Sequence, residues 1–395
     1  MKIAQIVCKY RPYFSGMSNA VFEISRQLID RGHEVTVFTP NFDREEKHEE
    51  DHQVERLDPY FSYGNAAFLP TLGKKLKNFD LVHLHYPFFG TAGVVKRFKR
   101  KYPHIPLVVT YHMDNRAGGV KGLIFAFYAK YFLKDILRCA DALIGSTFDF
   151  IKSSDAKLVY NEAPHKWHEI AFGVDTERFV PGKKSLSLIR SLDLNDSVPT
   201  VLFVGGMDSA HHFKGVKVLL RALRILSKEK IPFQAVFVGD GELKQEYERV
   251  VQAFFLKTTT RFVGRVSDEE LPEYYRLADV FVLPSTSSAE AFGMVLLEAM
   301  SSGCATIGSD LPGVREITAK GGVVVPGGDE VELAHALADF FALSEKKREN
   351  IARKNREIIL QEYSWERIGK QHEQLYHSVV EHKSNTSVST ELVNN

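Results

Sequence analysis

Cysteine is scarce in this sequence. Cys8, Cys139 and Cys304 are odd in number and far apart, with no redox or metal-ligand spacing between them, which argues against a disulfide scaffold or a thiolate metal site and for a reducing compartment. Long apolar runs are missing too. The longest patch, Leu123 to Leu133, is broken by Lys130 and falls short of the ~18 residues a spanning helix requires. Ile3 to Val7 is too short for a signal core and Lys9 follows at once, so no secretory signal is visible and the expected location is cytoplasmic. Charge of one sign is also lacking. Lysine and arginine number 51 against 50 aspartates and glutamates, without the basic excess that marks nucleic acid as the main partner. There is no G-x-G-x-x-G turn, which turns the reading away from a nicotinamide dehydrogenase.

What remains is an ordinary soluble composition, 44% hydrophobic over 395 residues, long enough for two domains with separate cores. Ile3 to Val7 reads as a buried strand, Val21, Ile24 and Leu28 as one face of a helix that Gly32 can end, and Val35 to Phe38 as a second strand. Strand, helix, strand units recur along the chain, through Phe79–Tyr86, Leu107–Thr110 and Ala140–Ser146, and again from Pro199 onward. Such repetition predicts parallel sheets with right-handed crossovers and ligand sites at the carboxyl ends of the strands.

The most informative stretch runs from Ser285 to Met300. Strand Val280 to Leu283 ends in Pro284 and a run of small polar residues, and a helix opens near Gly293. Free N–H groups and the positive dipole end of such a helix suit a phosphate or sugar hydroxyls. Glu290 precedes the helix and Glu298 lies about one turn inside it. Taken alone, the same pattern is also that of a capped helix with a solvated Glu at each end.

The spelling Glu-x-Phe-Gly, an apolar run, a second Glu eight positions after the first, then Ser-Gly-Cys-Ala and Leu-Pro-Gly-Val-Arg-Glu resembles the family-four retaining glycosyltransferases of the GT-B fold. The resemblance extends from Lys2 to about Glu381. It implies an α/β chain of two Rossmann-like parallel-sheet domains facing across a cleft. It divides the chain into an acceptor-side domain (1–183), a nucleotide-sugar-binding domain (184–361), a helix returning to the first domain (362–382) and a disordered polar tail (383–395).

It also assigns roles by position. Glu290 falls on the donor sugar and Glu298 on the ribose, with the backbone of Phe292, Gly293, Met294 and Val295 on sugar and diphosphate. Lys214, at a turn into a helix, matches the phosphate-binding lysine, where cationic charge stabilises a departing diphosphate. His112, after strand Leu107–Thr110, is placed beside the donor sugar, so His112, Lys214 and Glu290 are the expected catalytic residues. Gly16, Gly205, Gly206, Gly239 and Gly241 are the expected close-approach glycines, and Val263, Arg265 and Val266 border the nucleoside.

Two positions depart from the family pattern. Ser15 replaces one of two glycines in the first turn, and Gly206 stands where the family has Arg. The insert Ser209–Phe213 supplies His211 and His212 as candidate replacements. His83 and His85 share a strand face, and with no further ligand spaced to complete a zinc set they read as structural or cleft-lining.

The implied reaction moves a hexose-type sugar from a nucleotide diphosphate donor to a hydroxyl of a glycan, lipid-linked or small-molecule acceptor. No metal or other cofactor is obligatory. Other readings stand beside it: a glycoside hydrolase using Glu290 and Glu298, a non-catalytic nucleotide-sugar-binding protein, and a nucleotide-sugar epimerase on the same fold. Residues 95–102, basic, and 123–133, aromatic, read either as a solvated helix followed by a core helix or as peripheral contacts with the inner face of the cell membrane.

Overall fold

The computed structural model describes residues 1–12, 15–42, 52–116 and 119–393. They form two compact units, Met1–Phe172 with Trp365–Asn395, and Gly173–Ser364.

The first unit is built on a parallel sheet of β1 (Lys2–Ile6), β2 (Glu34–Pro40), β3 (Gln53–Leu57), β4 (Leu81–Tyr86), β5 (Leu107–Tyr111), β6 (Ala142–Gly145) and β7 (Trp167–Glu169), in the order β3-β2-β1-β4-β5-β6-β7. Its central strands are buried throughout, as in a sheet covered on both faces. The helix Gly16–Asp30 turns Met17, Ala20, Val21, Ile24 and Leu28 inward, each large apolar side chain contributing ~2 kcal/mol relative to exposure. Ser15 caps it, its Oγ accepting from Ser18 N at 3.2 Å. The serine that departs from the family's glycine pattern is thus an N-cap.

The last helix, Trp365–Val393, belongs to this unit although it follows the second in sequence. Gly369 lets it pack closely on Gly16–Asp30, since a Cβ there would lie 2.5 Å from that of Gln27. Arg31 Nη2 donates to Glu366 O at 2.8 Å, and His33 Nε2 lies 3.0 Å from Glu373 Oε1. Residues from 383, expected as a disordered tail, continue this helix to Val393, and residues 394–395 lie outside the described ones.

The sheet continues past Ala142–Gly145, where Leu143 pairs with Trp167 on β7, a strand of three residues and too short to show a period. Ahead of the returning helix lies a separate one, Glu345–Glu362, and the two are parted where Val174 N donates to Tyr363 O at 2.8 Å. The aromatic segment is not a core helix. It forms Gly119–Tyr128 and a π-turn at Ala129–Leu133, with Leu123, Ile124, Phe127, Tyr131 and Phe132 all exposed. Its apolar residues recur too closely for a helix to bury every side.

The second unit has a parallel sheet of β8 (Thr200–Val204), β9 (Gln234–Val238), β10 (Thr260–Gly264), β11 (Val280–Leu283), β12 (Ala305–Ser309) and β13 (Gly322–Val325), ordered β10-β9-β8-β11-β12-β13. Phe203, Phe237, Val280 and Ile307 form its core with Leu219, Leu220, Leu223 and Leu226 of the helix Val216–Lys228. Chain order reverses beside β8, between β9 and β11. Ligands of open α/β sheets bind at such a switch point.

Candidate functional site

In the second unit the loops that follow β8 and β11 are locked together through backbone. Thr286 N donates to Phe213 O at 2.7 Å, and Gly215, at φ +74, passes so close to Pro284 that a Cβ would lie 1.8 Å from its carbonyl oxygen. This clamp sets Lys214 opposite Glu290. Lys214 Nζ donates to Glu290 Oε2 at 2.7 Å, with side-chain exposures of 13% and 12%, so the pair is shielded enough for its charge to count and open enough to be reached. Ser285 Oγ stands 3.5 Å from the same carboxylate oxygen.

Gly205 and Gly206 end β8 as a floor without side chains. A Cβ on Gly205 would lie 2.7 Å from Lys214 Cδ, and one on Gly206 2.9 Å from His211 Nδ1. The imidazole of His211 therefore occupies the space a side chain at 206 would take. Asp208 holds it there, its Oδ2 lying 2.8 Å from His211 Nδ1. His212 is bound instead to Ser209 O at 2.8 Å.

The glycines of the next loop act on a neighbouring loop. A Cβ on Gly239 would meet Gly205 O at 1.9 Å, and one on Gly241 would meet Met207 C at 2.4 Å, so they seat the β9 loop on the β8 loop. Gly16 is the first residue of its helix, in the first unit. Val263 lies in β10, with Arg265 and Val266 just beyond it.

The central helix is Met294–Ser301, with Gly293 as its N-cap at φ +79. Phe292 is buried, and Met294 and Val295 open the first turn. Glu298 faces Tyr275, whose hydroxyl donates to Glu298 Oε2 at 2.7 Å. Burial pushes this carboxyl up to about 7, against the hydrogen bond from Tyr275 and the positive charge of Arg178, both of which pull it down. Tyr275 was invisible from sequence, one apolar-compatible residue in the helix Leu271–Leu277.

His112 lies in the first unit, at the carboxyl end of β5. Its ring stacks on Phe172 at 5.2 Å, and its Nε2 is 2.8 Å from His85 Nδ1. Burial, with the nearby His372, lowers it to about 3. His83 and His85 are wholly buried and hydrogen-bonded to protein groups, in keeping with a structural reading. Among the described residues, His33, Glu373 and His377 bring potential metal-ligand atoms within 4.8 Å of one another. Glu373 there is already engaged by His33 and, at 3.5 Å, by Arg31, which makes the group an ion-pair network.

A family model described as Glycosyltransferase Family 4 matches residues 14–178, and one described as Glycosyl transferases group 1 matches residues 186–358. Phosphatidyl-myo-inositol mannosyltransferase of Mycolicibacterium smegmatis is 27% identical over 391 residues, covering 95% of this chain and 93% of that one. A GDP-mannose-dependent alpha-mannosyltransferase of Corynebacterium glutamicum is 27% identical over 338 residues, 81% of this chain and 75% of that one. The solved structure of Anabaena HepE in complex with UDP shares the fold, with a TM-score of 0.70 at 19% identity over 96% of this chain and all of that one.

Proposed function

From the premise that this chain belongs to the family-four glycosyltransferases of the GT-B fold, we propose that it transfers a hexose, with retention, from a nucleotide diphosphate sugar to an acceptor hydroxyl. The observation that carries this reading is the Lys214–Glu290 pair, clamped before the amino end of the helix that bears Glu298. Lys214 and the helix amides stabilise the departing diphosphate. Glu290 orients the sugar, Glu298 accepts from ribose hydroxyls, and His211 supplies the second donor over Gly206. Gly205 and Gly206 let the diphosphate approach, and the backbone at Val263, Arg265 and Val266 meets the base. In the first unit, Gly16 admits the diphosphate and His112 meets a sugar hydroxyl. The name of the Corynebacterium relative supports GDP-mannose as the first donor to test, and that of the Mycolicibacterium relative a mannosyl donor. A panel of GDP-mannose, UDP-glucose and other nucleotide sugars, each incubated with the chain and a polar lipid extract, tests it. One donor is expected to give a glycosylated product with the donor's anomeric configuration. Inverted product would refute retention, and binding without transfer to any acceptor would leave a silent binding protein.

Donor affinity should depend on pH. A carboxyl with pKa about 7 is mostly ionised at pH 8 and about one-tenth ionised at pH 6, and the ionised form is the better acceptor for ribose hydroxyls. The dissociation constant is therefore expected to rise about tenfold from pH 8 to pH 6, by calorimetric titration, and to lose this slope in Glu298→Gln. For folding the sign is opposite. Because the folded-state value is raised, the folded chain holds the extra proton, and this group's contribution is present at acid pH and lost as pH rises through about 7.

The acceptor side includes a membrane surface in this proposal. Leu123, Ile124, Phe127, Tyr131 and Phe132 are exposed together near Lys130, and Arg97, Arg100 and Lys101 are exposed on the basic helix Thr91–Lys101. Lys99 is not available, being buried against Asp141 at 2.6 Å. Apolar rings flanked by basic side chains suit an anionic interface. No helix among the described residues is long and apolar enough to cross a membrane. Sedimentation with vesicles rich in anionic lipid is expected to capture the chain, and Phe127→Asp with Leu123→Asp to lower capture at least tenfold. Equal capture of wild type and variant would exclude this surface.

A further inference from the structure

We infer that Gln5 and His85 are positioning residues that hold the imidazole of His112 with its proton on Nε2, leaving Nδ1 bare to accept from a substrate hydroxyl. This rests on the reading of His112 as a residue that meets the sugar.

The inference comes from a continuous set of buried hydrogen bonds across β1, β4, β5 and the last helix, all within the first unit. Gln5, His83, His85, Thr110, His112 and Tyr376 are each at most 3% exposed. Gln5 Nε2 donates to Tyr376 Oη at 3.3 Å, so its Oε1 is the atom 2.8 Å from His85 Nε2. An amide oxygen only accepts, so His85 Nε2 carries a hydrogen.

Burial lowers both His85 and His112 well below the usual histidine range, and each ring is neutral with one N–H. His85 Nδ1 is then a bare acceptor. Across the 2.8 Å contact, the hydrogen must come from His112 Nε2. His112 Nδ1 is left without one.

The other branch closes consistently. Tyr376 accepts from Gln5 and gives its own proton to His83 Nδ1 at 2.6 Å, while His83 Nε2 donates to Thr110 Oγ1 at 2.7 Å. One amide on β1 thus fixes the form of three histidines. Phe172, stacked 8° from parallel, fixes the plane of the last ring.

His112 Nδ1 has no hydrogen-bond partner among the described residues. A bare nitrogen lone pair attracts an O–H and repels an anionic oxygen, so His112 is suited to a sugar hydroxyl and unsuited to the diphosphate. A backward-facing Gln5 amide would reverse every bond in the chain and present an N–H at His112 Nδ1.

Nitrogen NMR of the full chain carrying 15N-histidine at pH 7.5, with His112 assigned by His112→Gln, tests this directly. The expected result is a neutral His112 protonated on Nε2, and a mixture of the two tautomers in Gln5→Leu with kcat lowered about tenfold. A folding role for the amide alone would leave the tautomer of Gln5→Leu unchanged. His112 protonated on Nδ1 in the wild type, or unchanged in Gln5→Leu, would overturn the proposal. Titration of the same sample with GDP-mannose and UDP-glucose separates the premise. A correct tautomer whose Nδ1 resonance stays unmoved by a donor that binds would mean that His112 does not meet the sugar.

Discussion

Lys214→Ala is expected to lower kcat by ~10²–10³-fold, the range lost when a preorganised donor to developing negative charge is removed from a shielded site. In the proposed reaction charge accumulates on the leaving diphosphate as the glycosidic bond breaks, and Lys214, paired with Glu290 ahead of the central helix, is the cation offered to it. The variant loses twice, because Glu290 also keeps its negative charge without its partner at 2.7 Å. Lys214→Arg keeps the charge and is expected to recover part of the rate. It is not expected to recover all of it, since a planar fork cannot reproduce the point contact that the ammonium makes with Glu290 at 2.7 Å. His211→Ala is expected to lose about tenfold, as an exposed donor contributes less than a shielded one, and His212→Ala to lose nothing. Steady-state transfer at saturating donor checks the series. Near-wild-type kcat in Lys214→Ala would remove this residue from the mechanism.

Gly215→Ala is expected to destabilise the second unit by more than ~4 kcal/mol, in the tail of single-substitution effects. A left-handed backbone accounts for ~1–2 kcal/mol of that. The remainder comes from a methyl group placed 1.8 Å from the Pro284 carbonyl oxygen, an overlap that backbone on both sides prevents from relaxing. Gly32→Ala is the internal control. Its φ of +85 is similar, but nothing lies within 4 Å of its Cβ position, so only the conformational cost is expected. Thermal unfolding should place Gly215→Ala ~10 °C or more below wild type, and Gly32→Ala much nearer to it. Equal shifts would mean that the two loops are free to separate.

The sheets were largely legible in the sequence because buried parallel strands are short apolar runs ended by glycine or polar residues, as in Val201–Gly205 and Val280–Pro284. Strands such as Gln53–Leu57 and Trp167–Glu169 were not, since edge strands of mixed polarity have no such signature. Lys214 and Glu290 could be singled out by position, whereas their ion pair spans 76 residues and depends on a backbone clamp no local pattern encodes. Gln5 offered one unread signal. It is the one polar residue in the buried part, Ile3 to Ile6, of its strand, and a buried amide must find partners. Tyr275 and Tyr376 offered none, because a tyrosine on a buried helix face is as consistent with packing as with holding a carboxylate or an imidazole.

In the proposed function the amino end of the helix Met294–Ser301, between Glu290 and Glu298, grips the nucleotide sugar. Hydrogen–deuterium exchange of the full chain, with and without saturating GDP-mannose or whichever donor the panel selects, measures this most directly. The amides of Phe292, Gly293, Met294 and Val295 are expected to slow on donor binding, and Glu290→Ala to reduce this protection. A donor that binds while these amides exchange as in the free protein would contradict it.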